Sequence, residues 1–390
     1  VKYIDELDLK NKTVFIRADL NVPLNSDGSI ADDHRIKASL PTISFALGAG
    51  AKIVLASHLG RPKGKDASLS LKPVALQLAK LTNVKVTLAD DCIGDSVKNL
   101  ADNLAPKEIL LLENLRFHKE EEKNDAEFAK QLAELAQVYV NDAFATAHRA
   151  HASTEGITHY LKEKAGGFTL KNELMYFERA LGDPKRPLVT IFGGAKVSSK
   201  MEAIRNVGAK SDRIIIGGAM ANTFFVAQGY NLGTSLVEPE QVENAKEIEK
   251  QLSNSGCELI LPVDLVVAKA MKSGVTTRTC ALDQVQADEM ALDIGPRSIS
   301  LFTDALNQAE TIVWNGPMGA FEIEEFSKGT FAIVKALCDS KALTVVGGGD
   351  TDLALNQCNA FDKMGYVSTA GGAFLELLEG KVLPAVAALG

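Results

Sequence analysis

Positive charge, cysteine and long apolar runs are all scarce in this sequence, and each scarcity excludes something. Lysine and arginine number 42 against 50 aspartates and glutamates, a net charge of −8. A non-specific nucleic-acid binder carries the opposite balance, so any anion site must be a local patch on an acidic body. Five cysteines, Cys92, Cys257, Cys280, Cys338 and Cys358, lie scattered with no C-x-x-C pair. That argues against a disulfide framework or a cysteine-based metal cluster, and for buried free thiols in a reducing cytosol. No apolar run approaches the roughly 20 residues of a membrane span, and the opening VKYIDELDLKNK lacks the apolar core of a signal peptide. Residues repeating at a solenoid period and low-complexity segments are also missing.

Catalytic signatures are absent as well. There is no G-x-G-x-x-G turn with an acidic residue about 20 positions on, which a dinucleotide-dependent oxidoreductase would need. GGAKVSSK lacks the G-x-x-x-x-G-K-[ST] spacing of a P-loop. Neither a Ser-His-Asp set nor the HRD catalytic loop of kinases that act on hydroxyl groups is found.

What is present is a strict alternation. KIVLAS precedes LKPVALQLAKLT, EILLLEN precedes DAEFAKQLAELA, and RIIIGG precedes AMANTFFVAQG. Continuous apolar runs followed by helical periodicity predict an α/β protein, its parallel sheets covered by helices on both faces. A chain of 390 residues is too long for one ordinary core and predicts two domains.

The strand ends divide the chain into halves. In the first, the runs end with Arg17, Asp19 and Asn21; with His58 and Arg61; with Asn114, Arg116 and His118; and with His148, Arg149 and His151. All six histidines precede residue 160. In the second half the runs end in glycine, as in IFGGAKVSSK, IIIGGAMANTF, VWNGPMGAF and VVGGGDTDLAL. Ligands of open parallel sheets bind at the carboxyl ends of strands. Guanidinium and imidazole at one such edge suit a small phosphorylated or carboxylated anion. Bare backbone N–H groups at the other suit nucleotide phosphates. Within the first set Arg17 reads as a structural partner of a nearby carboxylate, and His118, His151 and His159 read equally well as loop residues.

In the second half Lys196 and Lys200 are predicted one turn apart at the start of a helix, where positive charge would serve a phosphoryl group. Asp350 reads either as a helix N-cap or as a ligand of Mg²⁺ that bridges it to phosphate. STAGGAFLELL offers a further glycine turn, with N–H groups at Thr369, Gly371 and Gly372.

The motifs RADLNVP, SHLGRP, LLLENLRFH, YVNDAF with AHRAH, GGAKV, LPVDLV, VWNGPMGAFE, GGGDT and LELLEGKVLP, taken in order, resemble the phosphoglycerate kinase family over essentially the whole chain. The resemblance implies two doubly wound, Rossmann-like parallel-sheet domains joined by a hinge helix within 170–182. Residues 1–170 with 373–390 would bind the glycerate substrate and 171–372 the nucleotide. It implies phosphoryl transfer between 1,3-bisphosphoglycerate and ADP, giving 3-phosphoglycerate and ATP, with Mg²⁺, hinge closure, a cytoplasmic location, a monomer, and neither nucleic-acid nor membrane partners. Asp19, Asn21, Arg35, His58, Arg61, Arg116 and Arg149 would hold the glycerate ligand. Arg35, Lys196, Gly349 and Gly372 would serve catalysis. Lys200, Gly217, Gly218, Leu292, Asn315, Pro317, Glu322, Gly348, Gly349, Asp350 and Thr351 would hold the nucleotide, with Asp350 on the metal. The chain departs from the family's usual residues at Ser199, Ala219, Ala291 and Ala370. The three alanines would add methyl groups near a purine or phosphate. Two rival readings, an NAD-dependent oxidoreductase and a two-lobed anion-binding protein without catalysis, lack the turn that the first needs and any use for Lys196 and Asp350 in the second.

Overall fold

The run TVFIR forms the central strand β1 (Thr13–Arg17) of the first sheet. The structure, a computed structural model, describes residues 1–390. Beside β1 stand β2 (Lys52–Ala56), β3 (Val86–Leu88), β4 (Ile109–Leu111), β5 (Val138–Asn141) and β6 (Glu163–Gly166). Their order is β3-β4-β2-β1-β5-β6, and every pair is parallel. Val14 and Ile16 enter one core with Ile53, Leu55, Val138 and Val140. Phe15 packs against Tyr139, ring centres 6.1 Å apart. Alternate residues of one strand are thus buried on opposite faces, as a sheet covered on both sides requires.

The second sheet repeats the plan with β7 (Leu188–Phe192), β8 (Arg213–Ile216) and β9 (Glu258–Ile260). After an insertion, described next, come β13 (Thr311–Asn315), β14 (Leu343–Gly347) and β15 (Tyr366–Ser368). The order is β15-β14-β13-β7-β8-β9, again all parallel. Leu188 and Phe192 enter one core, Val189 and Ile191 the other. The insertion is a small antiparallel sheet of β10 (Asp264–Ala268), β11 (Arg278–Ala281) and β12 (Met290–Ile294), with β10 in the middle. Sequence patterning did not foresee it.

The chain divides into two compact units, residues 1–174 with 382–390, and residues 175–381. It leaves the first in the helix Phe168–Phe177, which runs on as a π-helical turn over Glu178–Gly182. Buried Asp142 starts that helix by accepting the Thr169 N–H at 2.8 Å. The return to the first unit, expected at 373, falls instead at Val382. The helix Gly371–Leu378 buries Phe374 and Leu378 in a core of the second unit, and Asn206 donates to the Leu378 carbonyl at 2.8 Å. Only then does the tail bury Leu383 and Ala385, with the Ala385 N–H donating to the Ala147 carbonyl at 3.1 Å.

The glycine turn after β7 also corrects an expectation. Its helix begins at Met201, not near Lys196. Ser198 binds Glu238 through both its N–H and its hydroxyl, and the Ser199 hydroxyl donates to the Lys196 carbonyl. Such local side-chain bonds compete with helix formation.

Candidate active site

In the first unit the carboxyl ends of β1, β2, β4 and β5 gather the basic residues. His58 is buried, and burial, with Arg17, Arg116, Arg35 and His151 around it, holds its imidazole well below the ordinary range. It is therefore neutral at pH 7. Arg17 Nη2 lies 3.1 Å from His58 Nδ1. A guanidinium can only donate, so Nδ1 accepts and the ring proton sits on Nε2. The histidine thus offers an anion a hydrogen-bond donor rather than a base.

Arg17 itself does not meet a carboxylate directly, as its sequence context predicted. Its Nε donates to Ser153 Oγ at 2.8 Å, and Ser153 Oγ donates to Glu121 Oε1 at 2.5 Å. Glu121 is buried, and desolvation raises its pKa while Arg17 opposes the rise. His151 lies in the same network, pushed down to about 4 by burial and then by Arg17, Arg116 and Arg149. The loop carrying His58 is fixed by buried Asn114. Its Oδ1 accepts the Leu59 and Arg116 N–H groups at 3.1 Å, and its Nδ2 donates to the Leu59 and Leu69 carbonyls at 2.7 and 3.0 Å.

The remaining residues singled out by sequence differ in how firmly they are held. Arg116 donates to the Gly60 carbonyl at 3.0 Å, and Asn21 accepts the Gly60 N–H at 2.8 Å. Arg35 pairs with Asp19 across the cluster. Arg61 and Arg149 are exposed, the latter with Nε 3.2 Å from His148 Nε2. His118 and His159 stand apart, bonded to Asp91 and Glu155, each at 2.6 Å. The result is a patch of guanidinium groups around one neutral imidazole donor.

In the second unit the turns after β7, β8 and β13 lock onto one another. Gly194 N–H donates to the Pro317 carbonyl at 2.9 Å, Gly218 N–H to the Met318 carbonyl at 3.0 Å, and Met220 N–H to the Gly194 carbonyl at 3.0 Å. Gly218 has φ +70°, and a Cβ there would press on backbone atoms of Gly194 and Pro317. Between the strands Lys200 Nζ donates to the Gly193 and Asn315 carbonyls at 2.6 and 3.1 Å. Burial pulls its pKa down to about 8, with Asp350 opposing. A Cβ on Gly316, whose φ is +101°, would collide with that ammonium.

Beside these turns lies a cavity of about 550 Å³ with largely apolar walls. Gly218, Leu292, Pro317, Glu322 and Asp350 line it. Gly217, Asn315 and Gly348 are not among its lining residues. Asn315 Nδ2 donates to the Gly347 carbonyl at 2.7 Å. Gly349 and Asp350 form the first turn of the helix Gly349–Gln357, so Asp350 is not its N-cap. A Cβ on Gly371 would lie 3.6 Å from Gly349 N, which brings the start of the helix containing Gly372 to the same turn. The Thr351 side chain is buried and engaged within the protein. The hydroxyl accepts the Gly316 N–H at 3.0 Å and faces the Gly347 carbonyl at 3.3 Å. That leaves Asp350 as the exposed carboxylate at the turn, a donor set suited to a cation that keeps most of its water and shares phosphate oxygens. Lys196 stands exposed on the glycine turn.

An arginine-rich edge on one sheet and a cavity with lysine and aspartate at its side on another find their counterpart in known proteins. The phosphoglycerate kinase family profile matches residues 4–381. The phosphoglycerate kinase of Geobacter metallireducens is 54% identical over 100% of this chain and 98% of its own. That of Desulforapulum autotrophicum is 52% identical over 100% of both. The chain belongs to the phosphoglycerate kinase family. Solved structures agree. The phosphoglycerate kinase of Coxiella burnetii superimposes with a TM-score of 0.92 at 43% identity, covering 99% of this chain and 98% of that one. The enzyme of Pyrococcus horikoshii gives 0.81 at 33%, covering 100% and 98%.

Within a phosphoglycerate kinase this cavity also has walls that sequence reading missed. Leu236, Met271 and Met290 line it from the connection after β8 and from the antiparallel insertion. Exposed Met271, at 60% of its surface, and Leu236, at 50%, were the available signal, since large apolar side chains left open beside a cavity await a ligand. Of the unusual alanines, Ala219 and Ala291 line the cavity, whereas Ala370 is buried and does not.

Proposed function

We propose that the chain catalyses the reaction its family is named for, phosphoryl transfer between 1,3-bisphosphoglycerate and ADP to give 3-phosphoglycerate and ATP. The carrying observation is the contrast between the two strand edges: guanidinium groups around a neutral His58 on one, an apolar cavity beside Lys200 and Asp350 on the other. The first suits a small molecule bearing phosphate and carboxylate; the second suits a purine with its phosphates alongside. Arg35, Arg61, Arg116, Arg149, Asp19, Asn21 and His58 are assigned to the glycerate ligand. Lys200, Leu292, Pro317, Glu322 and the Gly348–Asp350 turn are assigned to the nucleotide.

The chemistry asks little more of the protein than position and charge. Run from ATP, the acceptor is a carboxylate already ionised at neutral pH, so no base is required. His58 with its proton on Nε2 donates to the ligand. Lys196, exposed on its turn, would follow the charge of the transferring group, with the Gly349 and Gly372 N–H groups beside it. Asp350 would hold Mg²⁺, which when bound neutralises phosphate charge. With one ligand on each unit, transfer requires the two to approach, and that approach would exclude water from the acyl phosphate. A cytoplasmic monomer fits the free thiols and the acidic surface. No helix is long and apolar enough to cross a membrane.

A coupled ATP/3-phosphoglycerate assay on the wild type and on Arg116→Ala and Arg149→Ala tests the reading. Each charge-assisted contact is worth roughly 1.5–3 kcal/mol, so KM for 3-phosphoglycerate should rise by one to two orders of magnitude while that for ATP barely moves. No turnover in the wild type, or an equal rise in both constants, overturns it.

A further inference from the structure

One cluster of metal-ligating side chains lies outside the site described above. Asp91 and Cys92 follow β3, and His118 follows β4. Twenty-six positions separate Cys92 from His118 in sequence, so no spacing motif betrays them. In the fold, the carboxylate oxygen, thiol sulfur and imidazole nitrogen all lie within 4.8 Å of one another. His118 Nε2 is 2.6 Å from Asp91 Oδ1. The imidazole is further fixed by Phe128, ring centres 5.1 Å apart. Cys92 is fully buried, whereas the His118 and Asp91 side chains remain 26% and 43% exposed, which opens the set to solvent on one side.

We propose that Asp91, Cys92 and His118 form a binding site for a borderline-soft divalent cation of the zinc class. The donor set is one sulfur, one nitrogen and one oxygen, the mixture that zinc accepts and magnesium or calcium do not. A tetrahedral ion with bonds of about 2.0–2.3 Å holds its donors roughly 3.3–3.7 Å apart. The His118–Asp91 separation of 2.6 Å lies below that range and no separation exceeds 4.8 Å, so each donor would shift by about 1 Å or less to surround the ion. The fourth position would be filled by water. Local charge favours a cation: the carboxylates of Asp91, Glu121 and Glu113 surround Cys92, against the single ammonium of Lys65. Binding exchanges the thiol proton, now donated to the Glu113 carbonyl at 3.0 Å, for the metal–sulfur bond and releases it to solvent. The oxidation state of both partners is unchanged.

The test is equilibrium binding on the full chain, with Zn²⁺ competed against a chromophoric chelator and Cd²⁺ added as a spectroscopic probe. The wild type should bind one equivalent and show an ultraviolet sulfur-to-cadmium charge-transfer band. Cys92→Ser should lose the band, and His118→Gln should weaken Zn²⁺ affinity by more than about tenfold, the least expected when a group supporting a metal site is lost. Asp91→Asn, at the exposed side of the set, gives a third reading should Cys92→Ser fail to fold. A wild type that binds no zinc, a band that survives Cys92→Ser, or affinities unchanged in His118→Gln and Asp91→Asn would overturn the site. The readout is metal binding, so such a failure leaves the proposed kinase reaction untouched.

Discussion

If Lys200 holds the nucleotide phosphates as proposed, nucleotide binding should depend on pH. Its ammonium is held by the Gly193 and Asn315 carbonyls and by little else, and burial brings its pKa down to about 8. If only the charged form engages nucleotide phosphates, the charged fraction falls from about nine-tenths at pH ~7 to about one-tenth at pH ~9. Affinity for MgADP should then fall about tenfold over that interval, with no further gain on acidifying below pH ~7. Isothermal titration calorimetry at pH ~7, ~8 and ~9, in two buffers of different ionisation enthalpy, reads both the affinity and the proton taken up on binding at the alkaline end. Lys200→Arg supplies the control. A guanidinium stays charged throughout, so its profile should be flat, although its planar fork fits the two-carbonyl cradle less well and its affinity should be lower at every pH. A flat wild-type profile, or one that falls as steeply in Lys200→Arg, would refute the reasoning.

Other consequences follow from single residues. Lys196→Ala should lower kcat by roughly 10²–10³ with little change in either KM, the pattern of a contact made only in the transition state; a large rise in the ATP KM with kcat intact would make it an ordinary binding lysine. Asn114→Ala removes four hydrogen bonds that hold the His58 loop. At about 1 kcal/mol each, urea melts should show a loss of roughly 3–4 kcal/mol, and KM for 3-phosphoglycerate should rise as well. Asp142, raised to about 7 by burial, keeps in the folded state a proton that the unfolded chain loses near pH ~4. Its contribution to stability is therefore lost as pH climbs from ~4 to ~7, and Asp142→Asn should flatten that part of the melting curve, leaving the slope due to Asp293, which burial raises to about 7 in the same way. An unchanged slope would mean that Asp142 is ionised where it lies.

Much of the architecture was legible because it rests on local pattern. Runs such as LVTIF and TVFIR carry consecutive apolar residues, and in a sheet covered on both faces alternate ones enter opposite cores. The strand ends could be read for the same reason, since whatever follows such a run sits at a ligand-binding edge. The antiparallel insertion escaped because RTCA and MALDI are short and partly polar, and the pairing of β10 with both is non-local. The domain return was misplaced because GGAFLELL is an amphipathic helix in either reading, and only tertiary contact shows which core takes Phe374 and Leu378. The bridge that Thr351 makes between Gly316 and Gly347 was not legible, because a hydroxyl beside a glycine turn carries no sequence sign of its backbone partners. His118 looked like a loop residue because its partnership with Asp91 spans two strands.

The return of residues 382–390 to the first unit has a consequence for synthesis. A ribosome releases residues 175–381 as one uninterrupted stretch, complete in its own contacts before the tail emerges. The first unit, begun earlier, waits for Leu383 and Ala385 until residues 175–381 have been made. Domains made this way need not mature in the order in which they begin along the chain. Here the arginine edge, whose Ala147 carbonyl is bonded only when the tail arrives, would set after the second unit, so a chain still being made could complete the proposed nucleotide cavity before the proposed glycerate site.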